Sequence, residues 1–224
     1  MTPSSFVRAL ASLRQEDVFN PYTDVCPVHD LKDAPSIRQR NLISYLSVSK
    51  SLGVNTLWMG RDLGYRGGRR TGLALTDEAH LPFIGKRYPG CNYERATQGP
   101  IVAERTAAEI WSILPRLETP PLLWNVFPLH PHEPKSPFSN RRFTKRELSE
   151  VEDLNSSLIA WLGIKRIVAI GNDAALYATS YDVSVTTVRH PSYGGLREFR
   201  EGMRKIYSLP IPPQSPYEQS SLPY

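Results

Sequence analysis

The chain has 224 residues, of which 40% are hydrophobic and 22% charged, so it can bury a packed core and global disorder is not expected. Its net charge of +5 is compatible with a polyanionic partner but equally typical of an ordinary basic protein. No apolar run approaches the roughly 18 residues that a membrane helix requires. Two cysteines, Cys26 and Cys91, are too few for a four-cysteine iron–sulfur cluster. With no secretory signal in view, we expect free thiols and a cytoplasmic, nucleoid-associated protein.

The N-terminal half begins with helical periodicity and passes through one short strand into a long segment without clear elements. The predicted elements are a helix over 4–17, a helix over 36–52 capped by Ser36 and ended by Gly53, and a strand over 55–59. Gly, Pro and Arg dominate residues 60–100. A connection of this length is more often a functional loop than an idle one.

The C-terminal half alternates strands with helices. In order, we predict a helix over 106–117, a strand over 122–127, a proline-rich loop over 128–143, a helix from Thr144 to Leu162 with a Thr144–Glu147 capping box, a strand over 166–170, a helix from Asn172 through Tyr177, a strand over 183–188 and an amphipathic helix over 194–207. This alternation predicts an α/β fold, a three-layer α/β/α sandwich with a central, mostly parallel four-stranded sheet. We expect one domain over 1–207, with a helical N-terminal extension, and a proline-rich C-terminal tail over 208–224.

Three polar side chains are associated with the ends of these predicted strands. Asp62 follows the strand over 55–59, Asn125 lies in the otherwise apolar strand over 122–127, and His190 follows the strand over 183–188. Because the carboxyl ends of parallel strands meet at one edge of a sheet, an acid, an amide and an imidazole are expected to share a pocket there. An enzyme is therefore the leading interpretation.

Other chemistries have weaker support. His130, His132 and Glu133 form an H-x-H-E cluster, but the surrounding prolines place it on a rigid loop, not on the helix or strand that usually organises metal ligands. The chain contains no phosphate-binding loop, no dinucleotide-binding glycine motif and no serine-hydrolase elbow. We expect neither a metal nor a cofactor.

The segment over 60–74, G-R-D-L-G-Y-R-G-G-R-R-T-G-L-A, resembles the first motif of the uracil-DNA glycosylase superfamily, which reads G-Q-D-P-Y-H-G-P-G-Q-A-H-G-L-A-F-S in its best-known family. An ungapped match keeps Gly60, Asp62, Gly68, Gly72, Leu73 and Ala74. The strand L-L-W-N ending at Asn125 is similar to the family's apolar strand, and H-P-S at 190–192 is similar to its second signature. The turn A-I-G-N-D-A over 169–174 lies between them, in the family's order.

The resemblance implies a function and assigns roles. The chain is expected to be a monofunctional hydrolase of N-glycosyl bonds that releases uracil from DNA and leaves an abasic site. His190 would donate a hydrogen bond to the departing base, and Asp62 would orient water and stabilise the sugar cation. Asn125 would bind the base edge through its carboxamide, and Arg61 would contact the base. Three of these residues have a structural alternative. His190 could be a hydrogen-bonded core histidine, Asp62 a turn cap, and Asn125 a cap of the next turn.

The sequence also departs from the family pattern. Leu75 stands where the family has a phenylalanine that stacks on the flipped base, so Tyr65, Phe83 or Phe127 is expected to replace it. Gly64 stands where the best-known family has a tyrosine that excludes thymine. Thymine must be excluded by another residue, such as Tyr65, or the enzyme must accept a broader range of deaminated bases.

A base inside a duplex must be flipped out before such a pocket can act on it, so contacts with the strand are expected. Basic clusters follow successive strands and are expected to share one rim, with ordinary solvated charges as the alternative. The candidate DNA contacts are Arg66, Arg69, Arg70, Arg141, Arg142, Ser192 and Arg197, with Tyr193 or Leu196 as the wedge that fills the vacated stack. The expected partner is uracil-containing DNA, bound by a monomer. The alternatives are a non-catalytic lesion-binding protein of the same fold and a hydrolase of free nucleosides.

Overall fold

The computed structural model describes residues 1–192 and 194–210 and has a parallel four-stranded sheet at its centre. The strands are β1 (Val18–Phe19), β2 (Thr56–Asp62), β3 (Leu122–Phe127), β4 (His130–Pro131), β5 (Arg166–Ile170) and β6 (Ser184–Val188). The central sheet has the order β3-β2-β5-β6, and β1 pairs with β4 in a separate antiparallel ribbon. The α/β class and the four-stranded parallel sheet predicted from the sequence are confirmed.

Helices flank the sheet. They are α1 (Pro3–Ser12), α2 (Ala34–Ser51), α3 (Gly68–Thr71), α4 (Leu81–Arg87), α5 (Arg105–Ile113) with a 3₁₀ turn at Leu114–Arg116, α6 (Lys145–Ser149), α7 (Glu152–Leu162), α8 (Asn172–Ala178) and α9 (Leu196–Tyr207). The helix α1 packs on α2 and α7, α8 packs on β5 and β6, and α9 packs on β6. Within the described residues, no helix combines the length and apolarity needed to cross a bilayer.

The strand order creates a topological switch point beside β2. The chain leaves β2 for β3 on one side and then returns past β2 to β5 and β6 on the other side. In open parallel sheets a crevice forms at such a point, outside the carboxyl ends of the strands. The sequence of β2 therefore delivers Gly60, Arg61 and Asp62 to the place where this fold forms a crevice.

Several boundaries differ from the prediction. The helix α2 begins after Asp33 and not at Ser36, because Pro35 fits the first helical turn. The predicted helix from Thr144 to Leu162 is divided into α6 and α7, although its Thr144–Glu147 capping box is present as predicted. The helix α1 is shorter than the predicted 4–17 and ends at Ser12.

Residues 63–100 contain only two short helices, α3 and α4, and buried ion pairs hold the rest of the segment in place. The guanidinium groups of Arg70 and Arg95 lie 3.0 and 3.2 Å from opposite oxygens of the buried Glu78 carboxylate. Arg38 of α2 pairs with Asp30 and donates from Nε to the carbonyl of Arg70 over 2.9 Å. The segment is thus held by charges that are distant from one another in the sequence.

Candidate functional site

A cleft of about 710 Å³ opens at the carboxyl edge of the sheet. It is lined by residues 60–64 after β2, residues 170–173 after β5, and Arg189, His190 and Ser192 after β6. Gly68, Leu75, Glu104, Thr106 and residues 140–142 complete its wall. The strand ends that the sequence singled out therefore supply most of this lining, which is called the cleft below.

Asp62, the last residue of β2, lies in the cleft with its side chain 7% exposed. Arg61 donates from Nε to Asp62 Oδ2 over 2.5 Å. Burial raises the pKa of Asp62 to about 6, although the Arg61 charge and its hydrogen bond act in the opposite direction. A carboxylate with such a pKa is ionised at neutral pH and basic enough to accept a proton.

Arg61 also connects two strand ends. Its Nη1 donates to Asp173 Oδ2 over 3.2 Å, at the start of α8, and Arg142 lies 3.2 Å from the other oxygen of the same carboxylate. The side chain of Arg142 is 75% exposed, whereas that of Arg61 is 30% exposed. A chain of alternating charges therefore crosses the cleft from Asp62 to the surface.

His190 lines the cleft after β6, and its ring is oriented by Ser192. The Ser192 backbone N–H donates to His190 Nδ1 over 3.2 Å, and Ser192 Oγ lies 2.5 Å from the same nitrogen. Because a backbone N–H is always a donor, Nδ1 is an acceptor and the neutral ring carries its proton on Nε2. Burial and the charges of Arg61 and Arg189 lower the pKa of His190, so the ring is neutral at pH 7 with a free Nε2–H donor.

Gly171 and Gly60 allow this arrangement. A Cβ on Gly171, which has φ +89°, would lie 3.1 Å from the Cβ of His190. A Cβ on Gly60 would lie 2.5 Å from Asn125 Oδ1 and 3.0 Å from Leu75 Cδ2. Glycine at these two positions lets the ring and the carboxamide approach the backbone of the neighbouring strand.

Asn125 lies directly behind Gly60, which is its neighbour across the β2–β3 pairing. The residue is 1% exposed, and among the described residues neither its Oδ1 nor its Nδ2 has a hydrogen-bond partner. Buried amides are nearly always hydrogen-bonded, so a carboxamide with both groups free requires an explanation, and a ligand that pairs with it is one. Asp62 and His190 line the cleft, whereas Asn125 does not line it and lies beside Gly60, which does.

Leu75 lines the cleft in a left-handed backbone conformation, with φ +54°. This conformation is costly for a residue with a Cβ and is found most often at functional positions. Leu75 therefore offers an apolar contact but no aromatic ring at the position where stacking was expected.

None of the three aromatic residues proposed to replace that ring lines the cleft. Phe83 lies on α4, 47% exposed, and contacts His80 and Lys86. Phe127 is fully buried against Phe143. Tyr65 lies against Arg66, whose Nε donates to its hydroxyl. Phe83 and Phe127 are therefore not placed to stack on a base in the cleft, and Tyr65, although next to Gly64 of the lining, does not line it.

Two of the predicted phosphate contacts are also contradicted. Arg69 is 3% exposed, lies over the Phe19 ring and donates to His130 Nδ1 and the Pro137 carbonyl over 3.0 and 2.8 Å. Arg70 is 8% exposed in its ion pair with Glu78. Both arginines are structural, and neither is available to a DNA strand.

The other predicted DNA contacts lie at or near the surface. Arg66, Arg142 and Arg197 are exposed, and Leu196 begins α9 half-buried. Arg141 lines the cleft but is already bonded to the Glu147 carboxylate, with its Nη2 2.6 Å from Oε1. The second wedge candidate, Tyr193, lies outside the described residues, as does residue 211 onward of the predicted tail.

Sequence reasoning missed several cleft residues that belong to no motif, among them two charged ones. Glu104 precedes α5, and Arg189 is the exposed residue before His190. A charged residue next to a recognised motif is the only signal that pointed to Arg189. Nothing local in the sequence marks Glu104, because tertiary packing alone brings it beside the first loop.

The H-x-H-E cluster is occupied by internal hydrogen bonds. His130 accepts from Arg69 at Nδ1 and donates from Nε2 to the Ser139 carbonyl over 2.8 Å, and its pKa is lowered to about 3 by burial and by Arg69. Across residues 1–192 and 194–210, His, Cys, Asp and Glu side chains form no group of three that could hold a metal ion.

Comparisons with known proteins agree with this geometry at the level of the fold. No family model matches the chain, and no curated protein matches it by sequence. Among solved structures, the chain is similar to SMUG2 of Pedobacter heparinus, with a TM-score of 0.61 and 12% identity over 93% of this chain and 96% of that one. The chain therefore shares the α/β fold of that protein.

Proposed function

We propose that this protein is a monofunctional DNA glycosylase that hydrolyses the N-glycosidic bond of uracil in DNA. The observation that carries the proposal is the buried Asn125 carboxamide, unpaired among the described residues, which lies beside Gly60 of a cleft that Asp62 and His190 line. Each of the three is delivered by a different strand of the parallel sheet. Support also comes from the shared fold and from the two motifs at the strand ends.

The reaction requires stabilisation of charge on both sides of the breaking bond. The C1′–N bond breaks, the base leaves with the bonding pair, and a water oxygen bonds to C1′. In the proposal, the His190 Nε2–H donates to the base oxygen on which negative charge develops. Preorganised donors of this kind in a water-poor site contribute about 3–4 kcal/mol each to lowering a barrier.

Asp62 would act on the sugar side. Its carboxylate would attract the positive charge that develops on the sugar and accept the proton that the attacking water gives up. Burial keeps the pKa of Asp62 at about 6, so the group is ionised before the reaction and can accept the proton during it. Its ion pair with Arg61 holds the carboxylate in place.

Asn125 would recognise the base. A carboxamide presents one acceptor and one donor side by side, which complements a carbonyl next to a ring N–H, as in uracil. Since neither group is hydrogen-bonded within the protein, binding a base with this edge satisfies both at once. The exposed arginines Arg66, Arg142, Arg189 and Arg197 would contact phosphates on the outer rim.

One assay tests the proposal. A single-stranded oligonucleotide with one uracil is incubated with the protein in a chelator, and alkali then cleaves the strand at any abasic site. We expect cleavage at the uracil and none in a matched oligonucleotide with thymine at that position. Released uracil, measured by chromatography, should equal the abasic sites formed.

The same assay separates the alternatives. Binding of the uracil strand without cleavage would favour a lesion-binding protein and contradict the enzyme. Turnover of free uridine or deoxyuridine without an effect on oligonucleotides would favour a nucleoside hydrolase.

A further inference from the structure

Glu104 is an acidic group in the cleft to which the mechanism above gives no role. Its backbone N–H donates to Asp77 Oδ2 over 2.6 Å, which fixes the residue at the start of α5. Its carboxylate lines the cleft, and within the described residues no side chain or backbone amide donates a hydrogen bond to it. The carboxyl group is thus mostly enclosed, accessible from the cleft and without a hydrogen-bond donor among the described residues.

The first loop is shaped around this carboxyl group. A Cβ on Gly67 would collide with Glu104 Oε2, and a Cβ on Gly64 would lie 3.5 Å from Oε1. The two glycines leave a recess that the carboxyl group fills beside the end of β2. A planar ligand in the cleft would meet Glu104 at the edge of this recess.

Charges on three sides act on Glu104. Asp77 faces it from the segment before α4 and is itself 2.6 Å from the His80 ring, Asp62 faces it from β2, and Arg66 faces it from the first loop. Burial and the negative charges of Asp77 and Asp62 raise the pKa of Glu104 to about 7, partly offset by Arg66. Near neutral pH the group therefore changes from a hydrogen-bond donor to a group that only accepts.

We propose that Glu104 is a further substrate-contacting residue, whose protonated carboxyl group donates a hydrogen bond to a carbonyl oxygen of the base beside Gly64 and Gly67. The inference rests on the proposed function, since it takes the ligand of the cleft to be a nucleobase. The inference also predicts which class of base the cleft binds. A heterocycle with a carbonyl at this edge binds most tightly when Glu104 is protonated. Protonation of Glu104 does not strengthen binding of a heterocycle with an amino group at the same edge.

Binding of free bases tests this role without catalysis. Uracil has a carbonyl oxygen where cytosine has an amino group, and both are uncharged at pH 6 and pH 8. We expect the ratio of uracil to cytosine affinity, measured by NMR titration, to fall about tenfold between pH 6 and pH 8 in the unmodified protein, the effect of about one hydrogen bond. In Glu104→Gln, which keeps the shape and cannot titrate, the ratio should not change with pH.

The matched control is Glu118→Gln. Glu118 is an exposed carboxylate that precedes β3, at the opposite edge of the sheet from the cleft. It should reproduce the unmodified protein at both pH values. Asp62 and His190 are intact in all three proteins, so a pH effect that remains in Glu104→Gln is assigned to them and not to Glu104.

The oligonucleotide assay supplies a second measurement. Glu104→Ala should raise KM for the uracil strand about tenfold with a smaller effect on kcat, and its thermal unfolding should show that it is folded. If Glu104→Gln keeps the pH-dependent ratio and Glu104→Ala keeps KM, the inference is wrong and the glycosylase proposal stands. If the unmodified protein releases no base, the glycosylase proposal fails, and the free-base ratio alone then supports or overturns the role of Glu104.

Discussion

The replacement Asn125→Ala is expected to uncouple stability from activity. Burying an unpaired carboxamide costs about 1–3 kcal/mol, and removal of Asn125 recovers that cost. The small cavity that remains costs about 1 kcal/mol. For a chain of this size, each kcal/mol changes Tm by about 2–4 °C. The net gain of about 0–2 kcal/mol therefore leaves Tm the same or raises it by up to about 8 °C.

A second buried asparagine provides the matched control. Asn155 of α7 is 0% exposed, accepts from Trp124 Nε1 over 2.8 Å and donates to the Val126 carbonyl over 2.7 Å. Asn155→Ala removes two hydrogen bonds and leaves both partners buried without one, at a cost of about 2–4 kcal/mol. Its Tm should fall by about 5–15 °C.

Asn155→Ala should have the larger effect on Tm, whereas Asn125→Ala should have the larger effect on activity. Asn125→Ala is expected to reduce kcat/KM for uracil release about 10²–10³-fold, whereas Asn155→Ala, assayed well below its Tm, should stay within about threefold of the unmodified protein. Scanning calorimetry and the alkali-cleavage assay measure the two effects. A fall in Tm for Asn125→Ala as large as that for Asn155→Ala would refute the view that the carboxamide is reserved for a ligand.

Three further predictions concern the other members of the site. Because burial raises the pKa of Asp62 to about 6, kcat should increase with pH up to that value as the carboxylate ionises, and Asp62→Asn should remove this limb from the pH–rate profile. His190→Ala should lower kcat about 10²–10³-fold with little change in Tm. Ser192→Ala, which removes one of the two groups at His190 Nδ1, should lower kcat about tenfold. Equal losses of kcat in the two variants would contradict a positioning role for Ser192. Gly60→Ala should prevent detectable binding of free uracil, because its Cβ would lie 2.5 Å from Asn125 Oδ1, and retained binding in an NMR titration would show that the carboxamide is not used.

Strands with continuous apolar runs were predictable from the sequence. The bounds of β3 and β5 match the prediction because both strands are buried on both faces, which gives nearly continuous apolar runs with Asn125 as the polar exception in β3. The strand β2 extends three residues beyond its prediction because Gly60 and Asp62 pair with β3, although residues 60–62 carry no strand-like pattern. Pairing with a neighbour decided that boundary, and a single sequence does not reveal it.

The roles of charged residues were harder to predict. Arg69 and Arg70 form part of a basic cluster in the sequence, yet their partners His130 and Glu78 bury them. Glu104 joins the cleft through packing of α5 and has no local signature. Local pattern therefore identified the residues at strand ends, whereas burial and charge pairing depended on contacts that only the folded chain provides.

The Glu78 carboxylate has a consequence for how the protein meets its ligand. It accepts from the Val102 N–H over 2.9 Å, from the Thr97 hydroxyl and from two arginines, so one side chain joins Arg70, at one end of the segment over 70–102, to Val102 at the other. Leu75 of this segment lines the cleft, and Glu104 follows the segment. The entropy lost in ordering the segment is therefore spent when the chain folds, and a ligand meets this part of the cleft already in position. Removal of the Glu78 carboxylate would leave two arginines without their buried partner, at a cost of about 3–5 kcal/mol in stability.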